Sequence, residues 1–290
     1  MTERLTPRHA VLFALLAALA ALVLVMFLTS LGLKVRKKLL TRTERGVVYG
    51  VADGRELLCD IHAPRFGNRK RPVLLWIHGG SWIEGSRANC SLDVMALYGW
   101  TVIAIDYRLV DSAPFPAQVE DCRTALRWIV DNADERGFDA GCIAVAGNSA
   151  GGHLASLLAT SYRVQGIPIR CVAAFFTPFD LTNLVEPSAP EASDPRNPLV
   201  RLFDGPLSEK QAELRAASPI YVADSNAPPF LIYHGERDDL VPVSQAKRMH
   251  SKLRELSVES KLVLLADNGH GMYHLRHIGE IRKFLEQHCR

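Results

Sequence analysis

The sequence predicts an α/β fold with a mostly parallel central sheet and helices on both faces. Short apolar runs such as "PVLLWIHGG", "TVIAIDY" and "CIAVAGN" alternate with helical stretches, which is typical of strand–helix units in a parallel sheet. Several of these runs are apolar at nearly every position, as expected for central strands that are buried on both faces. The chain has 290 residues, enough for one large hydrophobic core.

The N-terminal segment is uniformly apolar and differs from the rest of the chain. Residues 10–33 contain no charged side chain, and a helix needs about 20 apolar residues to cross a membrane. We therefore predict a single transmembrane helix over residues 10–33, preceded by a flank at residues 1–9. The alternative is a cleaved signal peptide followed by export, although no clear cleavage site follows the apolar stretch.

Basic residues follow the apolar segment. Residues 34–46 are rich in Lys and Arg, and we predict a linker there that contacts anionic membrane lipid. Because these basic residues outnumber Arg4 and Arg8 before the span, the main domain is expected on the cytoplasmic side. The net charge of the whole chain is only +3, which does not indicate a nucleic-acid partner.

One domain is predicted over residues 47–290. The expected strands lie at 56–64, 72–80, 101–107, 142–148, 171–177, 229–235 and 260–266. The expected helices lie at 116–135, 150–161, 243–256 and 275–288. The segment 178–219 has many prolines and no strand pattern, and it is predicted to be a short lid insertion.

The stretch "GNSAG" places Ser149 in a G-x-S-x-G motif. It follows an apolar strand and opens a helix, which is the context of a nucleophile elbow. Small residues at Gly147 and Gly151 permit the sharp turn that exposes the serine hydroxyl. The N–H of Ala150 and the glycine-rich loop "HGGSW" after an earlier strand are candidate donors to an oxyanion.

A serine hydroxyl is a weak nucleophile unless a base takes its proton. In folds with such an elbow, an acid and then a histidine follow the serine along the chain. "HGERDDLVP" offers Asp238 and Asp239, and "NGHGMYH" offers His270 and His274. Each stretch follows a predicted strand, where open α/β sheets place their sites.

Taken in order, "HGGSW", "GNSAGGH", "HGERDDLVP" and "NGHGMYH" resemble a known family. Residues 47–290 are similar to the α/β-hydrolase fold, in the esterase and lipase branch related to hormone-sensitive lipase and the bacterial carboxylesterases. This resemblance implies hydrolysis of a small-molecule carboxylic ester through an acyl-enzyme, without a cofactor or a metal.

The resemblance also implies a role for each matching residue. Ser149 is the nucleophile, Asp238 the acid and His270 the base, and the oxyanion donors are the N–H groups of Gly80, Ser81 and Ala150. The lipase-like motif usually reads HGGG, and Ser81 replaces its third glycine.

This replacement leaves the substrate class open, so an arylformamidase-like amide hydrolase is an alternative function. An inactive, membrane-tethered binding protein is another alternative, but the intact Ser149, Asp238 and His270 favour an enzyme. Phe203 in the predicted lid is expected to influence the preferred acyl-chain length.

Overall fold

The computed structural model describes residues 7–67, 69–186, 188–271 and 274–289, and for some helix residues, His274 among them, it describes the backbone alone. Within these residues the strands are β1 (Thr41–Ala52), β2 (Arg55–Pro64), β3 (Arg71–Ile77), β4 (Thr101–Ile105), β5 (Phe138–Asn148), β6 (Ile169–Phe175), β7 (Phe230–Gly235) and β8 (Ser260–Leu265). In the same described ranges the α-helices are α1 (Pro7–Leu40), α2 (Ala117–Asp131), α3 (Ala133–Arg136), α4 (Ala150–Ala159), α5 (Pro198–Phe203), α6 (Gln211–Ala216), α7 (Pro219–Val222), α8 (Ser244–Glu255) and α9 (His274–His288).

The strands form one sheet in the order β1-β2-β4-β3-β5-β6-β7-β8. The β1–β2 and β2–β4 pairs are antiparallel, and all the other pairs are parallel. The predicted mostly parallel sheet is therefore confirmed. Each predicted strand coincides with one of β2 to β8, whereas β1 was not predicted.

The side chains of β3 show how the sheet separates two hydrophobic layers. Val73 and Leu75 pack in a cluster with residues of α2, α4 and α8. Leu74 and Trp76 point to the opposite face and pack in a second cluster with residues of α9 and of the 3₁₀ helix Asp93–Tyr98. Since alternate strand residues face opposite sides of a sheet, a strand covered on both sides is apolar throughout. The predicted helices on both faces are confirmed.

The start of the domain differs from the sequence prediction. Residues 34–46 are not a linker, because α1 continues to Leu40 and β1 begins at Thr41. The first part of β1 pairs with the end of β2, from Thr41 opposite Pro64 to Glu44 opposite Ile61. Charged and exposed residues in this part of β1 hide its strand pattern in the sequence. The domain therefore begins at residue 41 rather than at residue 47.

The last turn of α1 is bound to the domain by Arg65. The backbone N–H of Arg65 donates to the Leu40 carbonyl at 2.8 Å, and its guanidinium donates to the carbonyls of Lys38 and Thr41 at 3.2 and 3.3 Å. Carbonyls at the end of a helix lack partners within the helix, so these bonds stabilise the helix end. An ion pair between Lys37 and Asp93 adds a second connection.

Over the part of the chain that the structure describes, no helix combines the length and apolar character needed to cross a membrane. The anchor at residues 10–33, the contact of residues 34–46 with membrane lipid and the cytoplasmic placement stay predictions. Residues 1–6, which include Arg4 and most of the predicted flank 1–9, lie outside the described residues.

The segment 178–219 is largely packed into the core. It contains α5, α6 and two short 3₁₀ helices, and Phe179, Leu202 and Leu214 in it are buried. Phe203 packs against Phe115, with 5.5 Å between the ring centroids. We call this segment the cap; its buried apolar side chains, Phe203 among them, face the rest of the domain.

The corrected domain boundary can be tested with three fragments that begin at residues 34, 41 and 47. Removing residues 41–46 deletes four of the strand pairs between β1 and β2. At a few tenths to 1 kcal/mol per pair, the fragment 47–290 should lose about 1–4 kcal/mol of unfolding free energy relative to 41–290. Urea denaturation measures this difference. Equal denaturation midpoints for 41–290 and 47–290 would show that this part of β1 does not contribute to the stability of the fold. The difference in unfolding free energy between 34–290 and 41–290 measures the contribution of the end of α1.

Candidate active site

Ser149 lies in a strained turn between β5 and α4. Its backbone has φ 52° and ψ −124°, a region that residues other than glycine rarely occupy. The Ser149 N–H donates to the Phe175 carbonyl at 2.9 Å, and the Ser149 carbonyl accepts from the His153 N–H at 3.0 Å. These bonds hold the turn between β6 and the first turn of α4. The sequence prediction of a strand–turn–helix around Ser149 is confirmed.

The two glycines of the motif are required by close backbone contacts. A Cβ atom on Gly151 would lie 2.1 Å from the Ile77 carbonyl oxygen, and one on Gly147 would lie 2.4 Å from the carbonyl carbon of Gly151. Both distances are shorter than a side chain can tolerate. The small residues on either side of Ser149 therefore let α4 approach the ends of β3 and β5.

Three of the predicted residues form a continuous chain of hydrogen bonds. His270 Nε2 lies 3.0 Å from Ser149 Oγ, and His270 Nδ1 lies 2.8 Å from Asp238 Oδ2. Asp239, the other candidate acid, is exposed. The side chain of His274, the other candidate base, lies outside the described residues.

The carboxylate of Asp238 is buried and fully hydrogen-bonded. Its Oδ1 accepts from the N–H groups of Leu240 and Val241 at 3.0 and 2.8 Å, and its Oδ2 accepts from His270. Burial alone raises the pKa of the Asp238 carboxyl, but hydrogen bonds from His234, His270 and the Val241 N–H hold its pKa well below the usual range. Because an ionised carboxylate only accepts, His270 Nδ1 is the donor, and Nε2 is free to accept the Ser149 proton.

Phe176, the first residue after β6, contacts the imidazole of His270. The two rings meet edge to face, with 4.8 Å between their centroids. Phe176 has φ 39°, which is a strained conformation for a bulky residue. Nothing in the sequence around Phe176 indicates this contact, because the residue is one of several in an apolar strand.

The loop after β3 lies beside the elbow. Gly80, Ser81 and Trp82 all have positive φ, at 118°, 51° and 62°. The Gly79 N–H donates to Asn148 Oδ1 at 3.0 Å, which joins this loop to the residue that precedes Ser149. Sequence reasoning missed Asn148, although it stands inside the G-x-S-x-G motif.

His78 and Trp82 in the same loop have different surroundings. The His78 ring stacks on Tyr107 at 4.3 Å and the Tyr107 hydroxyl donates to the His78 carbonyl at 3.0 Å, so His78 is held by packing and by a backbone hydrogen bond. The Trp82 side chain lines the cavity above Ser149.

An apolar cavity of about 260 Å³ opens onto Ser149. Its apolar wall is made by Trp82, Pro178, Leu184, Val185, Leu199 and Leu240. Four of these residues, Pro178, Leu184, Val185 and Leu199, belong to the segment 178–219, and its role as a lid stays a prediction. Phe203 does not line this cavity, so the structure does not support its expected influence on acyl-chain length.

Within the described residues, no group of three or more His, Cys, Asp or Glu side chains is arranged to hold a metal ion. The six cysteines are all free thiols.

Comparison with known proteins identifies the family. The sequence profile of the BD-FAE family matches residues 59–253, which is more than half of the chain. The chain belongs to the BD-FAE family. The similarity to α/β-hydrolase esterases inferred from its motifs is thereby confirmed.

Curated relatives of this BD-FAE chain include two proteins of Mycobacterium tuberculosis. The chain is 34% identical to esterase LipC over 242 residues, covering 78% of this chain and 59% of LipC. It is 30% identical to esterase LipQ over 245 residues, covering 79% of this chain and 57% of LipQ. The chain thus spans somewhat more than half the length of these relatives.

Solved structures show the same fold. A truncated carbohydrate esterase from gut microbiota superposes with a TM-score of 0.74 at 22% sequence identity, covering 86% of this chain and 97% of that one. At this identity the similarity establishes the α/β-hydrolase fold and not the substrate.

Two helix glycines test the steric explanation of the elbow. Ala has the higher helix propensity, so replacing a helix glycine without close neighbours should stabilise the protein by about 0.5–1 kcal/mol. Gly279 in α9 has no atom within 4 Å of a Cβ position, whereas Gly151 in α4 has a carbonyl oxygen at 2.1 Å. We therefore expect Gly279→Ala to raise the unfolding free energy and Gly151→Ala to lower it by at least about 2 kcal/mol. Urea denaturation measures the unfolding free energy of each variant. If both variants are more stable than wild type, or both are less stable, the steric explanation is wrong.

Proposed function

We propose that this BD-FAE protein is a serine hydrolase that cleaves carboxylic esters through an acyl-enzyme. The observation that carries the proposal is the hydrogen-bonded chain from Ser149 through His270 to Asp238. Nucleophile, base and acid lie in the relative positions that the reaction needs. The residues follow three different strands and meet at one edge of the sheet, so their alignment is a property of the whole fold.

The first half of the proposed reaction forms the acyl-enzyme. His270 Nε2 takes the proton of Ser149 as Oγ attacks the ester carbonyl carbon. Asp238 keeps the proton of His270 on Nδ1 and stabilises the imidazolium that forms. Collapse of the tetrahedral intermediate then releases the alcohol, which receives its proton from Nε2.

The second half releases the acid. A water molecule gives a proton to His270 Nε2 and attacks the acyl carbon, and the second tetrahedral intermediate expels Ser149. The imidazolium returns its proton to Ser149 Oγ, which restores the starting state. No other group has to change its protonation state between the two halves.

The oxyanion of both intermediates requires backbone donors. We assign this role to the N–H groups of Gly80, Ser81 and Ala150. In the described part of the chain, no acceptor is bonded to these three N–H groups. The Gly79–Asn148 hydrogen bond supports this assignment because it holds the loop against the elbow. Each such donor contributes roughly 10²–10³ in rate in enzymes of this type.

The names of the relatives agree with ester hydrolysis. LipC and LipQ are named esterases, and the superposed gut protein is named a carbohydrate esterase. The cavity supports a substrate with a short apolar acyl group, because its lining is mostly apolar and its volume of about 260 Å³ lies just below the range of about 300–1,000 Å³ that is usual for small-molecule sites. Within this space each buried CH₂ should raise kcat/KM about fourfold, from about 0.8 kcal/mol of transfer free energy.

Two serine variants test the proposed nucleophile. Ser149→Ala should lower kcat by about 10⁴–10⁶ on p-nitrophenyl butyrate, because the three residues act as a unit. Ser156→Ala is the matched control, since Ser156 lies on α4 and its hydroxyl only donates to the Gly152 carbonyl. It should keep most of the wild-type rate. Labelling by a fluorophosphonate should disappear in Ser149→Ala alone.

The proposal fails if Ser149→Ala retains more than a tenth of the wild-type rate. The turnover rate of the wild-type protein should also be measured on N-formyl amides and on alkyl esters of longer acids, which lack an activated leaving group. Faster turnover of the formyl amides than of every ester would favour the arylformamidase alternative. Absence of turnover on all substrates, together with absence of labelling, would favour the binding protein.

Leu184 tests the cavity as the acyl subsite. It lines the cavity and is half-buried, so Leu184→Ala should enlarge the cavity at modest cost to stability. The ratio of kcat/KM for octanoyl over butyryl p-nitrophenyl esters should rise severalfold. Leu256→Ala is the control, because Leu256 is equally half-buried and lies at the end of α8. An unchanged ratio in Leu184→Ala would mean that the acyl chain lies elsewhere.

A further inference from the structure

A second histidine contacts the carboxylate of Asp238. His234 lies in β7 and its side chain is completely buried. Its Nε2 is 3.2 Å from Asp238 Oδ2 and 2.8 Å from the Val241 carbonyl oxygen. Both neighbours are acceptors, so Nε2 must carry a hydrogen and donate to them.

The other nitrogen of His234 has no hydrogen-bond partner among the described residues. A buried polar atom without a partner lowers stability, and the residues before His234 in β7, Phe230 to Tyr233, are all buried and apolar or aromatic. An apolar side chain at position 234 would suit the strand better. The imidazole has two contacts that an apolar side chain could not make, the bond to the Val241 carbonyl and the contact with Asp238 Oδ2, and only the second reaches the aligned residues.

The contacts of Asp238 show what the imidazole supplies. Leu240 and Val241 donate to Oδ1 and fix one end of the carboxylate. Oδ2 faces His270 at 2.8 Å, and His234 is the remaining donor to this oxygen. Because Val241 also accepts from His234 through its carbonyl, His234 joins the turn that carries Asp238 to the strand that precedes it.

We propose that His234 is a positioning residue, whose Nε2–H holds the Asp238 carboxylate in line with His270. The inference rests on the proposed function, since Asp238 matters to the reaction only by orienting His270. His234 does not touch the substrate cavity or Ser149, so its removal should lower kcat and leave KM nearly unchanged.

The experiment compares His234→Gln with His234→Asn in the full chain. The amide nitrogen of Gln can reach the place of the imidazole Nε2, whereas that of Asn reaches only the place of Nδ1. Both side chains are neutral, polar and smaller than His, so the pair differs mainly in the donor to Asp238 Oδ2 and to the Val241 carbonyl. The pH profile separates the two bonds, because only the bond to Asp238 acts on His270. His62→Asn is the control for a buried histidine, because His62 also has one unpartnered ring nitrogen and bonds to Thr43 rather than to the site.

Rates on p-nitrophenyl butyrate are expressed per active site titrated with a fluorophosphonate, which removes the effect of unfolded protein. We expect kcat of His234→Asn to fall about tenfold to a hundredfold, the size of effect that a small misplacement of a reacting group produces. His234→Gln should stay within a fewfold of wild type. The acid limb of the kcat/KM profile, which reports the base in the free enzyme, should move by more than about 0.5 pH unit in His234→Asn alone.

Two results would overturn the inference. One is equal kcat per active site in both variants, and the other is a loss in His234→Asn with an unchanged acid limb. If His234→Asn does not fold, His234→Gln still decides, because a folded Gln variant with a large loss of kcat contradicts the proposal. Ser149→Ala measured in parallel separates the two hypotheses. If Ser149→Ala is active, the proposed function is wrong. If Ser149→Ala is inactive and His234→Asn has the wild-type kcat, only the proposed role of His234 is wrong.

Discussion

The site depends on the close contact between α4 and the end of β3. A Cβ on Gly151 would meet the carbonyl oxygens of both Ile77 and His78, so only glycine lets the helix come this near. The same end of β3 continues into the loop with Gly80 and Ser81. One contact therefore fixes the distance between the serine and the loop that we assign to the oxyanion. The hydrogen bond from Gly79 to Asn148 closes the same unit from its other side.

Backbone strain is concentrated around this unit. Among the described residues, seven other than glycine have positive φ, and Ser81, Trp82, Ser149 and Phe176 are four of them. Strained conformations of this kind persist only where the surroundings determine them. Here the surroundings are the two hydrophobic layers on either side of β3, β5 and β6, whose side chains are almost completely buried. The stability of the central sheet thus sustains the geometry of the site.

The sequence predicted the central strands and Ser149 from local signals, whereas the choice of Asp238 over Asp239 and of His270 over His274 came from the family resemblance. Continuous apolar runs mark β3 to β7, and the order of serine, acid and histidine follows the order of strands in the fold. β1 lacks such a signal, since Arg42, Glu44 and Arg45 interrupt its pattern and its pairing with β2 is what makes it a strand. Phe203 was assigned to the cavity by its apolar character alone, but packing against Phe115 determines its place. His234, Asn148 and Phe176 act through neighbours that are distant in sequence or through backbone conformation, which a single sequence does not reveal.

The three aligned residues are held to different degrees, and the difference suits the proposed reaction. Ser149 is fixed by a strained backbone, and Asp238 is fixed by bonds to both oxygens with none of its side chain exposed, whereas 19% of the His270 side chain is exposed. Only the base has to exchange protons with three partners, namely the serine, the leaving alcohol and water. Asp238 bonds to Nδ1 of the imidazole, and the Phe176 ring packs against the same imidazole. Nε2 can therefore turn between the serine, the alcohol and water while Nδ1 stays bonded. The rigid Asp238 thus keeps the tautomer of His270 constant, and the partial exposure of His270 lets Nε2 exchange its proton.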